Sequence, residues 1–118
     1  MVTEFGKELR KIRIDRDERL MDMADKIGKS SAFISAVEVG KKSPPHGFED
    51  IIAQAYGLAA DVGEKLKQVA DRARKSFTIE PCSILGRDTA GLMARRMNEL
   101  SEEQLSEILA ILSKDKGE

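Results

Sequence analysis

Apolar residues recur at helical spacing through the first half of the chain. Phe5, Leu9 and Ile12 stand at i, i+4 and i+7, so "TEFGKELRKIRI" reads as an amphipathic helix with Thr3 as its N-cap. The charged stretch "DRDER" reads as a loop. A second helix is expected from Leu20 to Ile27, burying Leu20, Met23, Ala24 and Ile27. Gly28 ends it, because glycine enters the left-handed region without a Cβ clash. Ser30 is a good cap for a third helix, "SAFISAVEV", in which Phe33 or Ile34 and Val37 face the first two, and Gly40 closes it. "KKSPPHG" is a loop, since prolines lack the N–H that a helix interior needs. In "FEDIIAQAYGL", Phe48, Ile51, Ile52 and Ala55 mark a fourth helix that stops at Gly57. Helices this short are unstable alone, so they must share one core.

Beyond Leu58 the pattern thins. Asp61 and Glu64 resemble a capping box opening "DVGEKLKQVADRARK", with Val62, Leu66, Val69 and Ala73 as a narrow apolar stripe. "SFTIEP" alternates Phe77 and Ile79 with polar neighbours, which predicts a short strand, and "CSILGRD" reads as a loop. Two further helices follow, over "TAGLMARRMNEL" and "SEEQLSEILAILSK". The second has a capping box at Ser101 and Gln104 and an apolar row of Leu105, Ile108, Leu109 and Leu112. The expected fold class is all-α with that one short strand.

Composition narrows the function classes. Of 118 residues, 35% are charged and only 4% aromatic, so the core must rest on aliphatic side chains, which favours helices. The net charge of −1 conceals an asymmetry: residues 1–42 carry ten Lys/Arg against eight Asp/Glu, whereas residues 76–118 carry five against eight. A mildly basic front half is compatible with a phosphate-binding face. Cys82 is the single cysteine, which excludes an internal disulfide, and the start "MVTEFGKELRK" lacks a secretion signal, so a reducing cytoplasm is the expected setting. No apolar run reaches the roughly 18 residues of a membrane span, so no membrane partner is expected.

Catalytic chemistry finds little support. His46 and Cys82 are the only residues of their kinds and lie in separate loops, so neither completes a catalytic set or a zinc site. "GRDTAG" has neither the P-loop nor the dinucleotide-binding spacing. No enzyme activity, cofactor or metal is expected.

The stretch "MADKIGKSSAFISAVEVGKK" has a small residue in one helix, a turn glycine and a capped second helix. Spacing alone leaves a plain helical hairpin and a DNA-binding helix-turn-helix both open. Residues 5 to 58, slightly under half the chain, resemble the Cro/phage-repressor type of helix-turn-helix, the XRE family. That resemblance implies a lambda-repressor-like five-helix domain acting as a dimer on a double-stranded DNA operator. It also implies a structural ion pair between Arg13 and Glu38 and a recognition helix whose exposed first turns hold Ser31, Ala32, Ser35 and Ala36. Phe33 then either meets a thymine methyl or sugar or is buried. Arg19, Ser30, Lys41 and Lys42 are the expected phosphate contacts. The chain departs from the family at Leu20, where many relatives have glutamine, and in lacking Arg, Gln or Asn on the recognition helix. Its sequence preference would then come from methyl contacts and DNA shape.

The expected division is a DNA-binding domain over 1–60 and a C-terminal extension over 61–118. Apolar stripes too thin for a second core mark the extension for dimerisation through Phe77, Ile79, Met93, Met97, Leu105, Ile108 and Leu112. Three functions fit: a dimeric repressor acting on its own or nearby promoters, an antitoxin whose tail masks a toxin, and an interaction module with a decayed hairpin.

Overall fold

Thr3 starts the first helix as its spacing predicts. In the computed structural model, which describes residues 1–114, the Thr3 hydroxyl accepts the Gly6 N–H at 3.0 Å and caps α1 (Glu4–Asp15). The other helices are α2 (Leu20–Ile27), α3 (Ser31–Glu38), α4 (Phe48–Tyr56), α5 (Ala60–Ala73), α6 (Ile84–Arg96) and α7 (Glu102–Leu112), with a 3-10 turn at Met97–Glu99. Among the described residues there is no strand. They divide into two units, with the boundary after Phe77.

The first unit encloses one core. Phe5, Leu9 and Ile12 from α1, Met23, Ala24 and Ile27 from α2, and Ile34 and Val37 from α3 are all buried. Phe48, Ile52 and Tyr56 from α4 and Leu66, Val69 and Ala70 from α5 complete it. Ring centroids of Phe5 and Phe48 lie 6.1 Å apart, and Phe33 meets Phe48 edge-on at 5.7 Å. Helix α5 packs on α1 and α4, so the boundary expected after residue 60 falls later. The reason is geometric: Leu66, Val69 and Ala70 are a narrow stripe, but α1 and α4 offer a groove that such a stripe fills.

Several local expectations change. Tyr56 turns inward, while Ile51 is 42% exposed and Ala55 also faces out, a rotation of the buried stripe of α4. The capping box at Asp61 does not form. Ala59 is the cap residue, and Asp61 lies inside the first turn of α5.

The sequence pattern misses an ion-pair staple entirely. Arg74, just after α5, sends Nε to the Pro44 carbonyl at 2.9 Å and Nη2 to the Pro45 carbonyl at 2.7 Å. Its guanidinium also grips the Glu49 carboxylate at 2.6 and 3.2 Å and touches Asp71 at 3.1 Å. One side chain thereby ties the end of α5 to the proline loop and the start of α4. Burial pushes the Glu49 carboxyl up, but the Arg74 hydrogen bonds, its own backbone N–H and the Arg74 charge together outweigh burial and hold the group below its usual 4.5. A carboxylate depressed in the folded state stabilises the fold above its ordinary value, and that contribution disappears as pH falls through the folded value. We expect Arg74→Ala to cost about 2–3 kcal/mol at pH 7. In urea melts, the gap from wild type should narrow as the pH is lowered through and below 4.5. A gap of equal size at pH 7 and pH 3 would contradict the assignment.

The second unit, residues 78–114, is open. Ser83 caps α6, its hydroxyl accepting the Gly86 N–H at 2.9 Å, so "CSILGRD" contributes to a helix and not to a loop. The signal was there in the serine, but Ile84 and Leu85 show no periodicity to go with it. The capping box of α7 forms as expected: the Gln104 N–H donates to Ser101 Oγ at 3.1 Å, and the Ser101 N–H donates to Gln104 Oε1 at 2.9 Å. The strand expected over "SFTIE" does not form: these residues have no regular secondary structure, and Phe77 and Ile79 are 62% and 64% exposed. A lone strand makes no ladder, and the described residues supply no second one.

Candidate nucleic-acid interface

The turn between α2 and α3 is built from local chemistry. Gly28 adopts φ 71°, and the N–H groups of Gly28 and Lys29 both reach the Ala24 carbonyl, the latter at 3.1 Å. Ser30 then caps α3 by accepting the Phe33 N–H at 3.0 Å. Its hydroxyl hydrogen stays available to an outside acceptor.

Helix α3 is fixed from its buried side. Ile34 and Val37 are almost fully enclosed, and Glu38 is 2% exposed. Arg13 Nη1 donates to Glu38 Oε2 at 2.5 Å and Nη2 to Oε1 at 3.4 Å, so the pair implied by the resemblance is present and buried. Arg10, half exposed, adds a longer bond to the same carboxylate at 3.4 Å. The backbone carbonyl of Glu38 is held as well: it accepts the Thr3 N–H at 2.9 Å and the Thr3 hydroxyl at 3.2 Å. Both ends of one residue thus anchor the C-terminus of α3 to α1.

The opposite side of α3 carries small side chains. Ala32 and Ser35 are exposed, and Ser31 and Ala36 are half-buried at the edges of that face. The Ala36 carbonyl accepts the N–H groups of Lys41 and Lys42 at 2.9 and 3.2 Å, which folds the following loop back against the helix. Both lysines are exposed, as are Ser30 and Arg19. The Arg19 N–H donates to Asp22 at 2.8 Å, and this bond, with the arginine charge, holds the Asp22 carboxyl below its usual range.

Phe33 takes an intermediate position. One edge packs on Phe48, and its ring lies 5.8 Å from Lys29 Nζ and 5.8 Å from Lys42 Nζ. Cations within about 6 Å of an aromatic face are attracted to it. Lys29 carries no sequence signal of its own, since a lysine in a polar turn fits no pattern. The ring thus lies close to both Lys29 and Lys42, next to the small-residue face of its own helix.

A further cluster braces α2 from behind. Glu18 accepts from Lys26 Nζ at 2.7 Å and from the Tyr56 hydroxyl at 2.6 Å. The Lys26 bond and then the Tyr56 bond lower the Glu18 carboxyl, while burial and Glu18 together raise the Tyr56 hydroxyl well above its usual value. Lys26 and Arg16 also stand over the Tyr56 ring, at 4.4 and 5.2 Å.

Apart from Phe77, the residues expected to dimerise belong to the second unit. Met93, Leu105 and Ile108 are half-buried, while Met97 and Leu112 are exposed at 41% and 71%. Among the described residues no group of His, Cys, Asp and Glu side chains converges to hold a metal, and no helix is long and apolar enough to cross a membrane. No protein-family model, curated protein or solved structure matches the chain at a significant level.

Proposed function

We propose that this chain is a DNA-binding transcriptional regulator of the Cro/phage-repressor helix-turn-helix type, acting as a repressor on its own or nearby promoters. The observation that carries the reading is the face of α3: small side chains at Ser31, Ala32, Ser35 and Ala36, bordered by Lys29, Lys41 and Lys42. Small residues let a helix backbone come close to base edges in a major groove about 12 Å wide. Alanine methyls suit thymine methyls, and the serine hydroxyls bond to several base edges. The exposed lysines, Ser30 and Arg19 are the proposed phosphate contacts, and phosphate contacts set register without reading sequence. With no side chain on that face for bidentate base contacts, discrimination rests on methyl contacts and on duplex shape.

The test is a titration of the protein against the duplex upstream of its own coding sequence and against an unrelated duplex, at two salt concentrations. The upstream duplex should bind more tightly, with affinity falling as salt rises. Lys41→Ala/Lys42→Ala should weaken binding to both duplexes and reduce the salt slope by about 1 for each lysine removed. Equal binding to both duplexes, or a variant indistinguishable from wild type, would count against the reading.

A further inference from the structure

Between α3 and α4 the chain has little of its own to hold it. Ser43, Pro44, Pro45 and His46 follow the two lysines, and the prolines have no N–H to donate. Among the described residues, the only backbone hydrogen bond these positions make is the one the Pro45 carbonyl accepts from the Phe48 N–H at 3.1 Å. The loop is therefore fixed from outside. At its start the Ala36 carbonyl holds the N–H groups of Lys41 and Lys42 at 2.9 and 3.2 Å. Just beyond the lysines, Arg74 takes the Pro44 carbonyl at 2.9 Å and the Pro45 carbonyl at 2.7 Å, and Pro44 itself is buried. Arg74 is not offered to an outside anion. Its side chain is 10% exposed, and Glu49 and Asp71 already bond to its guanidinium. A planar fork with donors in fixed directions can hold two neighbouring carbonyls and a carboxylate together, which a point-like ammonium cannot. The guanidinium thus does more than balance Glu49: it sets where the loop backbone runs.

We propose that Arg74 is a positioning residue for the phosphate contacts of Lys41 and Lys42, holding through Pro44 and Pro45 the loop that carries both lysines. The proposal rests on the regulator reading, since the placement of the lysines matters only when a phosphate meets them. A loop that is already fixed loses less conformational freedom on binding than a free loop with the same charges, so it binds more tightly. Arg74 therefore acts on DNA affinity without touching DNA.

The experiment is a mutant cycle of wild type, Arg74→Lys, Lys41→Ala/Lys42→Ala and the triple variant, titrated against the upstream duplex at one salt concentration under conditions where urea melts show each protein folded. Arg74→Lys keeps the charge and a partner for Glu49 but loses the fork, so it should weaken binding about tenfold. Added to Lys41→Ala/Lys42→Ala, the same change should weaken binding by less than about twofold, because no lysine is left to position. A direct phosphate contact by Arg74, or a general loosening of the fold, would lower affinity equally in both backgrounds and overturn the proposal. Amide hydrogen exchange of the free protein gives a readout that needs no DNA. In Arg74→Lys the amides of Lys41 and Lys42 should exchange about tenfold faster, while that of Lys29, bonded to the Ala24 carbonyl in the other turn, keeps its rate. Unchanged protection at Lys41 and Lys42 would overturn the proposal whatever the duplex does. Wild type and Arg74→Lys binding the upstream duplex equally would sink this inference and leave the regulator reading standing. A wild type that binds neither the upstream duplex nor an unrelated one would sink both.

Discussion

Replacing Glu38 with alanine should destabilise the first unit by about 3–5 kcal/mol, the usual result of stranding one partner of a buried ion pair. Glu38 is 2% exposed and accepts from Arg13 and Arg10, so its loss leaves the buried Arg13 guanidinium, among the described residues, with only the Met23 sulfur at 3.4 Å. Arg13→Ala should be milder, because Arg10 is half exposed and already bonded to Glu38, and can carry more of that charge. A buried pair exchanged for apolar side chains of similar volume often costs little, so Arg13→Met/Glu38→Leu should recover much of the loss. Urea melts of the four proteins decide the matter. Equal midpoints for wild type and Glu38→Ala would show that the pair contributes nothing.

Gly6→Ala should also destabilise, against the helix preference of the sequence. Gly6 lies in the first turn of α1, where alanine would ordinarily gain about 1 kcal/mol over glycine. A Cβ built there, however, falls 2.3 Å from the Glu38 carbonyl oxygen and 2.7 Å from a Val2 methyl. The oxygen belongs to backbone already fixed by Thr3, so it cannot move aside as a flexible side-chain end would. Overpacking of this kind costs about 1–3 kcal/mol, and separating α1 from α3 would forfeit the Thr3 bonds as well. The expected net loss is about 2 kcal/mol, measurable as a lower thermal midpoint. A midpoint at or above that of wild type would mean that α1 and α3 can part at no cost.

These two predictions differ in how much of their basis can be read from sequence. Thr3, Gly28, Ser30 and Ser101 act through bonds to residues no more than four positions away, and the helix boundaries they imply are the ones observed. Burial of Leu9, Ile12, Ile27 and Val37 follows from spacing for the same reason. The Gly6–Glu38 approach and the Arg74 staple join residues far apart in the chain, and no local pattern encodes them. Helix α5 illustrates the same limit, since its thin stripe gains its meaning from the groove that α1 and α4 provide. Alternation at "SFTIE" is a two-residue signal, and without a partner strand it has no energy behind it. In the candidate interface, Ser31, Ala32, Ser35, Lys41 and Lys42 rest on the family resemblance, carried over by position along the chain. The placement of Lys29 and Lys42 about the Phe33 ring depends on Phe48, which enters from another helix.

Amide chemical-shift mapping of labelled protein titrated with the upstream duplex tests the proposed interface. The largest perturbations should fall on residues 29–36 and on Lys41 and Lys42, with a smaller set at Arg19 and little change in the middle of α5. Perturbations confined to α6 and α7, or spread evenly over the chain, would contradict the claim that the small-residue face of α3 is the surface that meets DNA.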